Sequence, residues 1–288
     1  MYRYINKYSF YIYIASLKCV PMELLMLILS GALVGFAIGL TGVGGGSLMT
    51  PILLLFNYPV AIAIGTDLLY AAITKAGGMY FHNRRRNIDW KTMGLLTAGS
   101  IPVSIIINIF IIDENLRENE SFSTFLSSFL GVMLILTALV MIFNRLIQRR
   151  MKKKEDHEDK KYYIFIKQHR SVLVLLLGII LGICVTLSSV GAGAFGAAIL
   201  FMLFPSWPTK YVVGTDIAHA VPLTFVAGLG YLFNGLVDFS LLLVLVVGSL
   251  PGIYLGTRLG SVLPEKFLRG VLIVALLGLG LYFGLIQS

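Results

Sequence analysis

Residues 40–47 read Leu40-Thr41-Gly42-Val43-Gly44-Gly45-Gly46-Ser47, and residues 187–194 read Leu187-Ser188-Ser189-Val190-Gly191-Ala192-Gly193-Ala194. Each stretch interrupts an apolar run long enough to cross a bilayer. Each puts glycine and hydroxyl side chains where an unbroken helix would carry Leu or Ile. Irregular backbone at membrane depth survives only where protein buries it or a polar cavity borders it. A matched pair of such breaks, one in each half of a chain, points to a transport site built from broken helices.

The rest of the chain agrees with a membrane setting. Of its 288 residues 57% are hydrophobic and 13% charged, against roughly 25% charged in soluble domains. Several apolar runs approach the length of a spanning helix. The fold class expected is all-α: a polytopic transmembrane helical bundle of about 8–10 membrane segments. The net charge of +9 lies mostly in loops between apolar runs, where basic residues orient the chain and meet anionic headgroups. It is not a nucleic-acid signature. Cys19 and Cys184 have no metal or redox spacing, and no motif asks for a cofactor. The longest polar stretch, 145–170, is too short to fold around a catalytic core of its own and reads as a solvated loop joining the two halves.

Apolar segments fall at about 22–40, 48–56, 60–82, 90–112 and 122–144, then at about 171–187, 193–204, 210–233, 238–257 and 266–286. The expected organisation is an N-terminal extension over 1–21, a first membrane repeat over 22–147, a polar cytoplasmic linker over 148–170 and a second membrane repeat over 171–288. Residues 1–21 mix Arg3, Lys7 and Lys18 with Tyr and Ile and lack a small-residue cleavage site. They read as an interfacial arm or as residues upstream of a functional start at Met22.

The second half replays the first. At an offset of 147, Leu40, Val43, Gly44 and Gly46 meet Leu187, Val190, Gly191 and Gly193. At an offset of 149, Gly65-Thr66-Asp67 meets Gly214-Thr215-Asp216, Asp89 meets Asp238, and Gly99-Ser100-Ile101-Pro102 meets Gly248-Ser249-Leu250-Pro251. Loop charge then relates the copies. The loop 83–91 carries Arg84-Arg85-Arg86, and its counterpart Phe233-Asn234-Gly235-Leu236-Val237 carries no positive charge. The acidic loop 113–120 corresponds to one holding Arg258, Lys266 and Arg269. Since positive loops stay cytoplasmic, corresponding loops lie on opposite faces, and the copies form an inverted-topology repeat. Five crossings per half satisfy this, as do three crossings plus a re-entrant hairpin. The pieces 48–56 and 193–204 fall short of the ~17 residues of a normal span and are expected as partial or tilted helices.

The candidate substrate-binding residues are those of the breaks: Thr41, Gly44, Gly45, Gly46, Ser47, Ser188, Ser189, Gly191 and Gly193. A half-helix starting after a break aims free N–H groups and a positive dipole end at it. Hydroxyls add donors, and the set suits an oxyanion better than a cation. Close packing of small residues is the alternative use of such a stretch. Coupling or site-shaping candidates are Thr66, Asp67, Lys75, Thr215, Asp216 and His219. An acid inside a span is functional or paired. Either the threonines cap helices and the aspartates bond the opposite half, or the aspartates couple substrate movement to protons. His219 stands one turn after Asp216 where the first half has Tyr70, so it breaks the symmetry. It reads as a proton-handling group or as a packing histidine. Lys75, two turns after Asp67, snorkels, pairs with Asp67 or faces the substrate path. Asp89 and Asp238 read as helix caps.

With these motifs in place, the sequence resembles the sulfite exporter TauE/SafE family of membrane permeases. Gly42-Val43-Gly44-Gly45-Gly46, Pro51, Gly65-Thr66-Asp67, Val213-Gly214-Thr215-Asp216 and Gly248-Ser249-Leu250-Pro251-Gly252 carry the resemblance. It implies a plasma-membrane permease of two repeats that moves small anions, often sulfite, thiosulfate or organosulfonates, usually outward. The expected partners are a small anionic substrate and the lipid bilayer, with protons as coupling ion on the reading that gives the aspartates a coupling role. One glycine of the first break is Ala192 in the second, so the two breaks need not meet substrate equally. Two other readings stand beside this one: a cation transporter using the paired aspartates, and a non-transporting membrane scaffold. No metalloprotease His-Glu-x-x-His and no Gly-x-Ser-x-Gly occurs, which argues against an enzyme.

The topology is open to test. A cysteine placed in 113–120 reacts with an impermeant maleimide from outside the cell, and one in 258–266 reacts only after the membrane is opened. Labelling of both from one side refutes the inversion.

Overall fold

A bilayer leaves a spanning backbone few ways to satisfy its own amides, and the apolar runs take the helical one. The computed structural model describes residues 22–41, 46–111, 120–156, 160–259 and 265–285. Among the described residues there are ten helices and no strand. The first five are α1 (Met22–Thr41), α2 (Gly46–Leu55), α3 (Val60–Arg84), α4 (Trp90–Ile111) and α5 (Glu120–Asp156). The second five are α6 (Lys160–Ser188), α7 (Ala194–Leu203), α8 (Thr209–Phe233), α9 (Phe239–Leu259) and α10 (Glu265–Leu285). Among the described residues seven helices are long and apolar enough to cross a membrane. The two short pieces fold as half-length helices, α2 and α7, as their lengths foretold.

One expectation fails. The polar stretch 145–170 is helical up to Asp156 and again from Lys160, where a loop was expected; residues 157–159 lie outside the described residues. Its Lys, Arg, Glu and Gln are good helix formers, and a helix that leaves the membrane keeps its hydrogen bonds in water.

The helices pack across the two halves. α1 lies on α9, α4 on α6, α3 on α8 and α5 on α10. Exchanging the first five helices for the second five leaves this pattern unchanged, which is compatible with a duplicated unit. The central pair, α3 and α8, runs antiparallel: Gly65 meets Tyr231, Gly228 meets Leu69 and Gly78 meets Ile217. Equivalent helices that cross head to tail are what an inverted repeat requires.

Two of these pairs meet backbone to backbone. A Cβ on Gly35 would sit 2.7 Å from Ser249 Cα, and one on Gly182 would sit 2.9 Å from Ser100 Cα. Gly178, Gly248 and Gly252 are crowded in the same way, each by a carbonyl oxygen of the facing helix. Small residues let spanning helices approach this closely, and van der Waals contact between them replaces a hydrophobic drive that lipid does not supply. Leu29, Leu33, Ile106, Phe110, Leu243 and Val247 point outward, exposed on the faces that lipid covers.

The two turns after α3 and α8 are copies. Asn87 N–H donates to His82 O at 2.9 Å, and Leu236 N–H donates to Tyr231 O at 2.9 Å. Both turns need a left-handed residue; Gly235 supplies it at φ 68°, and in the first half Arg86 takes it at φ 53°.

Gly178→Leu and Gly252→Leu force these helices apart. Each is expected to lower stability in detergent by about 1–3 kcal/mol, the usual cost of overpacking. Gly77→Ala, where an added methyl meets nothing within 4 Å, serves as the control, and thermal unfolding read by fluorescence compares the three.

Candidate functional site

Each break separates a long helix from a half-length one. The first falls between α1 and α2. Gly42 to Gly45, including the candidates Gly44 and Gly45, lie outside the described residues, as do the side chains of Thr41 and Ser47. Gly46 opens α2. The second break is described except for the side chain of Ala194. Ser189 sits at φ 56°, Gly191 at φ 121° and Gly193 at φ 128°. Gly193 then leads into α7, with Ala197 N–H donating back to Gly193 O at 3.0 Å.

The acids of the Gly-Thr-Asp motifs turn toward these half-helices. Asp67 on α3 is fully buried. Its Oδ2 accepts the Thr50 N–H at 3.1 Å and the Thr50 hydroxyl at 2.5 Å, both from α2. Asp216 on α8 is likewise buried. The Gly193 N–H donates toward its carboxylate at the start of α7. A Cβ on Gly196 would collide with Asp216 Oδ1, so glycine there lets the carboxylate lie against α7. The positions match at an offset of 147, but Thr50 is replaced by Ala197 and Met49 by Gly196. The same architecture therefore holds its two acids differently.

The threonines beside these acids do another job. They stand inside helices and do not cap their own. Thr66 Oγ1 accepts the backbone N–H of Asp238 at 3.2 Å, and Thr215 Oγ1 accepts that of Asp89 at 3.0 Å. Gly65 and Gly214 bring the helix backbone against Leu236 O and Asn87 O of the same two turns. Asp89 and Asp238 in turn cap α4 and α9: Thr92 N–H donates to Asp89 Oδ2 at 3.1 Å, and Leu241 N–H donates to Asp238 Oδ1 at 3.0 Å. Each half thus holds the start of a helix in the other.

Lys75 occupies the space between the acids. It is buried, at 4% exposure, on a span where a lone cation is costly. Its Nζ donates to Ala192 O in the second break at 3.4 Å, and it attracts both Asp216 and Asp67. The α3–α8 register places Asp67 and Asp216 about 13 residues apart along the pair, roughly 20 Å at 1.5 Å per residue. They are not a carboxylate dyad. They are the ends of a polar column whose middle is Lys75 and the backbone of 189–193. Ser189 faces Asp67, though its Oγ is not aligned as a hydrogen bond. Ser188 turns away and closes α6, with its Oγ donating to Cys184 O at 2.6 Å. Gly191 packs on the side chains of Cys184, Met133 and Val185.

His219 is fully buried and pairs with Ser100 on α4, Nε2 to Oγ 2.9 Å. At the equivalent place in the other half Tyr70 approaches Ser249. Sequence reasoning passed over Thr50, Ser100 and their neighbours Ser104, Asn108 and Thr186. Ser100, Ser104 and Asn108 recur every fourth residue along α4. That spacing marks one polar face on an apolar span and was the signal available. Among the described residues no cluster of His, Cys, Asp and Glu is suited to a metal ion.

Thr50→Val keeps the shape of the side chain and strips a hydroxyl from buried Asp67. The expected loss is about 1–3 kcal/mol of stability, the range for leaving a buried polar group short of a partner. Thr97→Val, which removes a part-buried hydroxyl bonded only within its own helix, carries no loss of this size. Thermal unfolding of the two variants in detergent makes the comparison.

Comparison with known proteins agrees with this architecture. A family model described as sulfite exporter TauE/SafE matches residues 27–283. The probable membrane transporter protein YjnA of Bacillus subtilis (strain 168) is 33% identical over 252 residues, covering 86% of this chain and 96% of that protein. The probable membrane transporter protein YdhB of the same organism is 28% identical over 262 residues, covering 90% and 100%. The probable membrane transporter protein MJ0441 of Methanocaldococcus jannaschii is 29% identical over 275 residues, covering 89% and 94%. No solved structure matches the chain.

Proposed function

The chain belongs to the sulfite exporter TauE/SafE family, and we propose that it moves a small sulfur-containing oxyanion, such as sulfite or an organosulfonate, outward across the plasma membrane by alternating access. The observation that carries this reading is Lys75. It is a buried cation whose hydrogen bond to the Ala192 carbonyl is a long one, 3.4 Å. It stands beside the second break and between two acids. An oxyanion that reaches this level meets the Lys75 ammonium and the N–H groups at the start of α7, with Ser189 as a further donor. Half-helix starts of this kind favour anions. The first break, through Thr41, Gly44, Gly45, Gly46 and Ser47, is read as the matching donor set from the other half.

The two carboxylates set a condition. Asp67 and Asp216 already engage donors at the half-helices. An anion added beside two ionised acids would be repelled in a medium that screens poorly. Binding therefore goes with a proton on one of them, which makes protons the coupling ion. Alternation then exposes the column first from the Asp67 end and then from the Asp216 end.

A second reading rests on one observation. Asp67 Oδ1 and Asp216 Oδ1 are buried and have no hydrogen-bond partner among the described residues. Free carboxylate oxygens suit a cation, and a cation transporter would use them as ligands.

Proteoliposome flux separates the readings. Uptake is measured for sulfite, thiosulfate, an organosulfonate and monovalent cations, with and without a pH gradient. The anion reading expects saturable anion flux that a pH gradient accelerates. Lys75→Met and Gly45→Leu, still inserted in the membrane, lower it by at least about tenfold, or ~1.4 kcal/mol of lost binding. Flux that follows a cation and ignores every anion in the panel overturns it.

A further inference from the structure

The symmetry of the bundle fails in one place that the transport reading does not use. On α4, Ser100, Ser104 and Asn108 are all buried, at 0%, 0% and 6% exposure. Ser100 bonds His219, and Ser104 Oγ accepts the Thr186 hydroxyl of α6 at 2.9 Å. The Thr186 carbonyl accepts the Tyr231 hydroxyl at 3.0 Å, and Asn108 Nδ2 donates to Ala227 O at 3.3 Å. Two atoms of this file have no partner among the described residues: Asn108 Oδ1 and His219 Nδ1. Helices α4 and α8 run parallel, with Ser100 level with His219 and Asn108 level with Ala227. The file therefore leads from His219 toward the face where α4 and α8 end. Among the described residues the other half does not continue such a file past Ser249. The equivalents of Ser104, Thr186 and His219 are Ile253, Gly39 and Tyr70. A polar row through one side of a duplicated bundle is not needed for packing, because the other side packs without it.

We propose that this file is a proton path, which admits protons to Asp216 from the face where α4 ends and from that face only. A proton carried in as hydronium passes along the Ser104 and Ser100 hydroxyls to Nε2 of His219. The ring releases one from Nδ1 to the Asp216 carboxylate, one helical turn away, leaving a neutral acid and a neutral imidazole. Ser100 and Ser104 lie one turn apart, ~5–6 Å between Cβ atoms, a gap that one bridging water spans. Among the described residues, the buried titratable groups on the elements packed around His219 are Asp216 and Tyr231 on α8 and Lys75, Asp67 and Tyr70 on α3, with half-buried Cys184 on α6 and Asp89 before α4; Tyr80, His82 and Arg84 on α3, Lys91 on α4, His169 and Arg170 on α6, and Lys210 and Tyr211 on α8 stand toward the helix ends. The idea deepens the proton-coupled reading above and rests on it for its purpose, though the path itself is measurable without substrate.

The test uses the full chain in proteoliposomes of a single orientation, given a pH step on one side and followed by the infrared band of protonated carboxyl groups. The band rises promptly after an acid step on the face where α4 ends and slowly after a step on the other; Asp216→Asn removes it. Ser104→Ala with Thr186→Val slows the rise by about tenfold or more, the scale of one lost hydrogen-bonded step. Ser104→Thr, which keeps a hydroxyl, restores it and shows that the slow variant is not a folding defect. An equal rate in the double variant, an equal response from both faces, or a wild-type band that ignores the step overturns the path. Sulfite counterflow at equal pH on both sides is scored separately. Its absence beside an intact band counts against the transport reading and leaves the path standing.

Discussion

Two helices of this protein begin in its interior, and their first amides have no carbonyl to bond. In water such groups are hydrated; inside a membrane each must find a partner or destabilise the fold. At α7 the structure answers this with a carboxylate of the following helix, Asp216, toward which the Gly193 N–H donates; at α2 the carboxylate of Asp67 lies one turn further in, on the N–H and hydroxyl of Thr50. Much else depends on that choice. Acids at half-helix starts must themselves be buried, and Lys75 balances them from between. If the substrate is the anion we propose, its site is lined with groups that already fill an anion's place, which is the reason the proposal joins an oxyanion to a proton there.

The same motif that presents each acid also ties the halves together. Thr66 and Thr215 bond the backbone that starts a helix in the opposite half, while Gly65 and Gly214 let the chains close on each other. Asp89 and Asp238 cap the helices so anchored. Three residues thus serve two purposes: the glycine and threonine face outward to the other half, and the aspartate faces inward to its own half-helix. Their recurrence at both ends of α3 and α8 leaves the central antiparallel pair pinned at two points. The acids then mark the two ends of the column, not one midpoint.

Much of this fold was legible in the chain. Apolar runs end where glycine, proline or charge ends them, so the expected 60–82 and 193–204 became Val60–Arg84 and Ala194–Leu203. The halves could be aligned because Gly-Thr-Asp and Gly-Ser-x-Pro are rare enough in apolar sequence to fix a register. The polar stretch misled, since charge alone does not separate a loop from a helix that has left the bilayer. Around the site the motifs named the acids but not their partners. Thr50 lies in a ten-residue apolar helix, and nothing local says that its hydroxyl will meet a residue 17 positions away. Ser100 and His219 are 119 positions apart. Pairings of that kind are set by how helices pack, and a single chain read in order does not display them.

The cross-packing of α1 on α9 and α4 on α6 has a consequence for how such a molecule is made and how it arose. When the first five helices leave the ribosome, the glycine faces of α1 and α4 have no surface to meet, because both partners are encoded later. The early half must wait in the bilayer, held by lipid or by the insertion machinery, until α6 and α9 arrive. An ancestor of half the length would have faced the same shortage, and it could have met it with a second copy of itself inserted the other way up. Fusion of the two genes would then have freed each copy to change alone. Lys75, His219 and Ala192 are differences of the kind that such freedom permits.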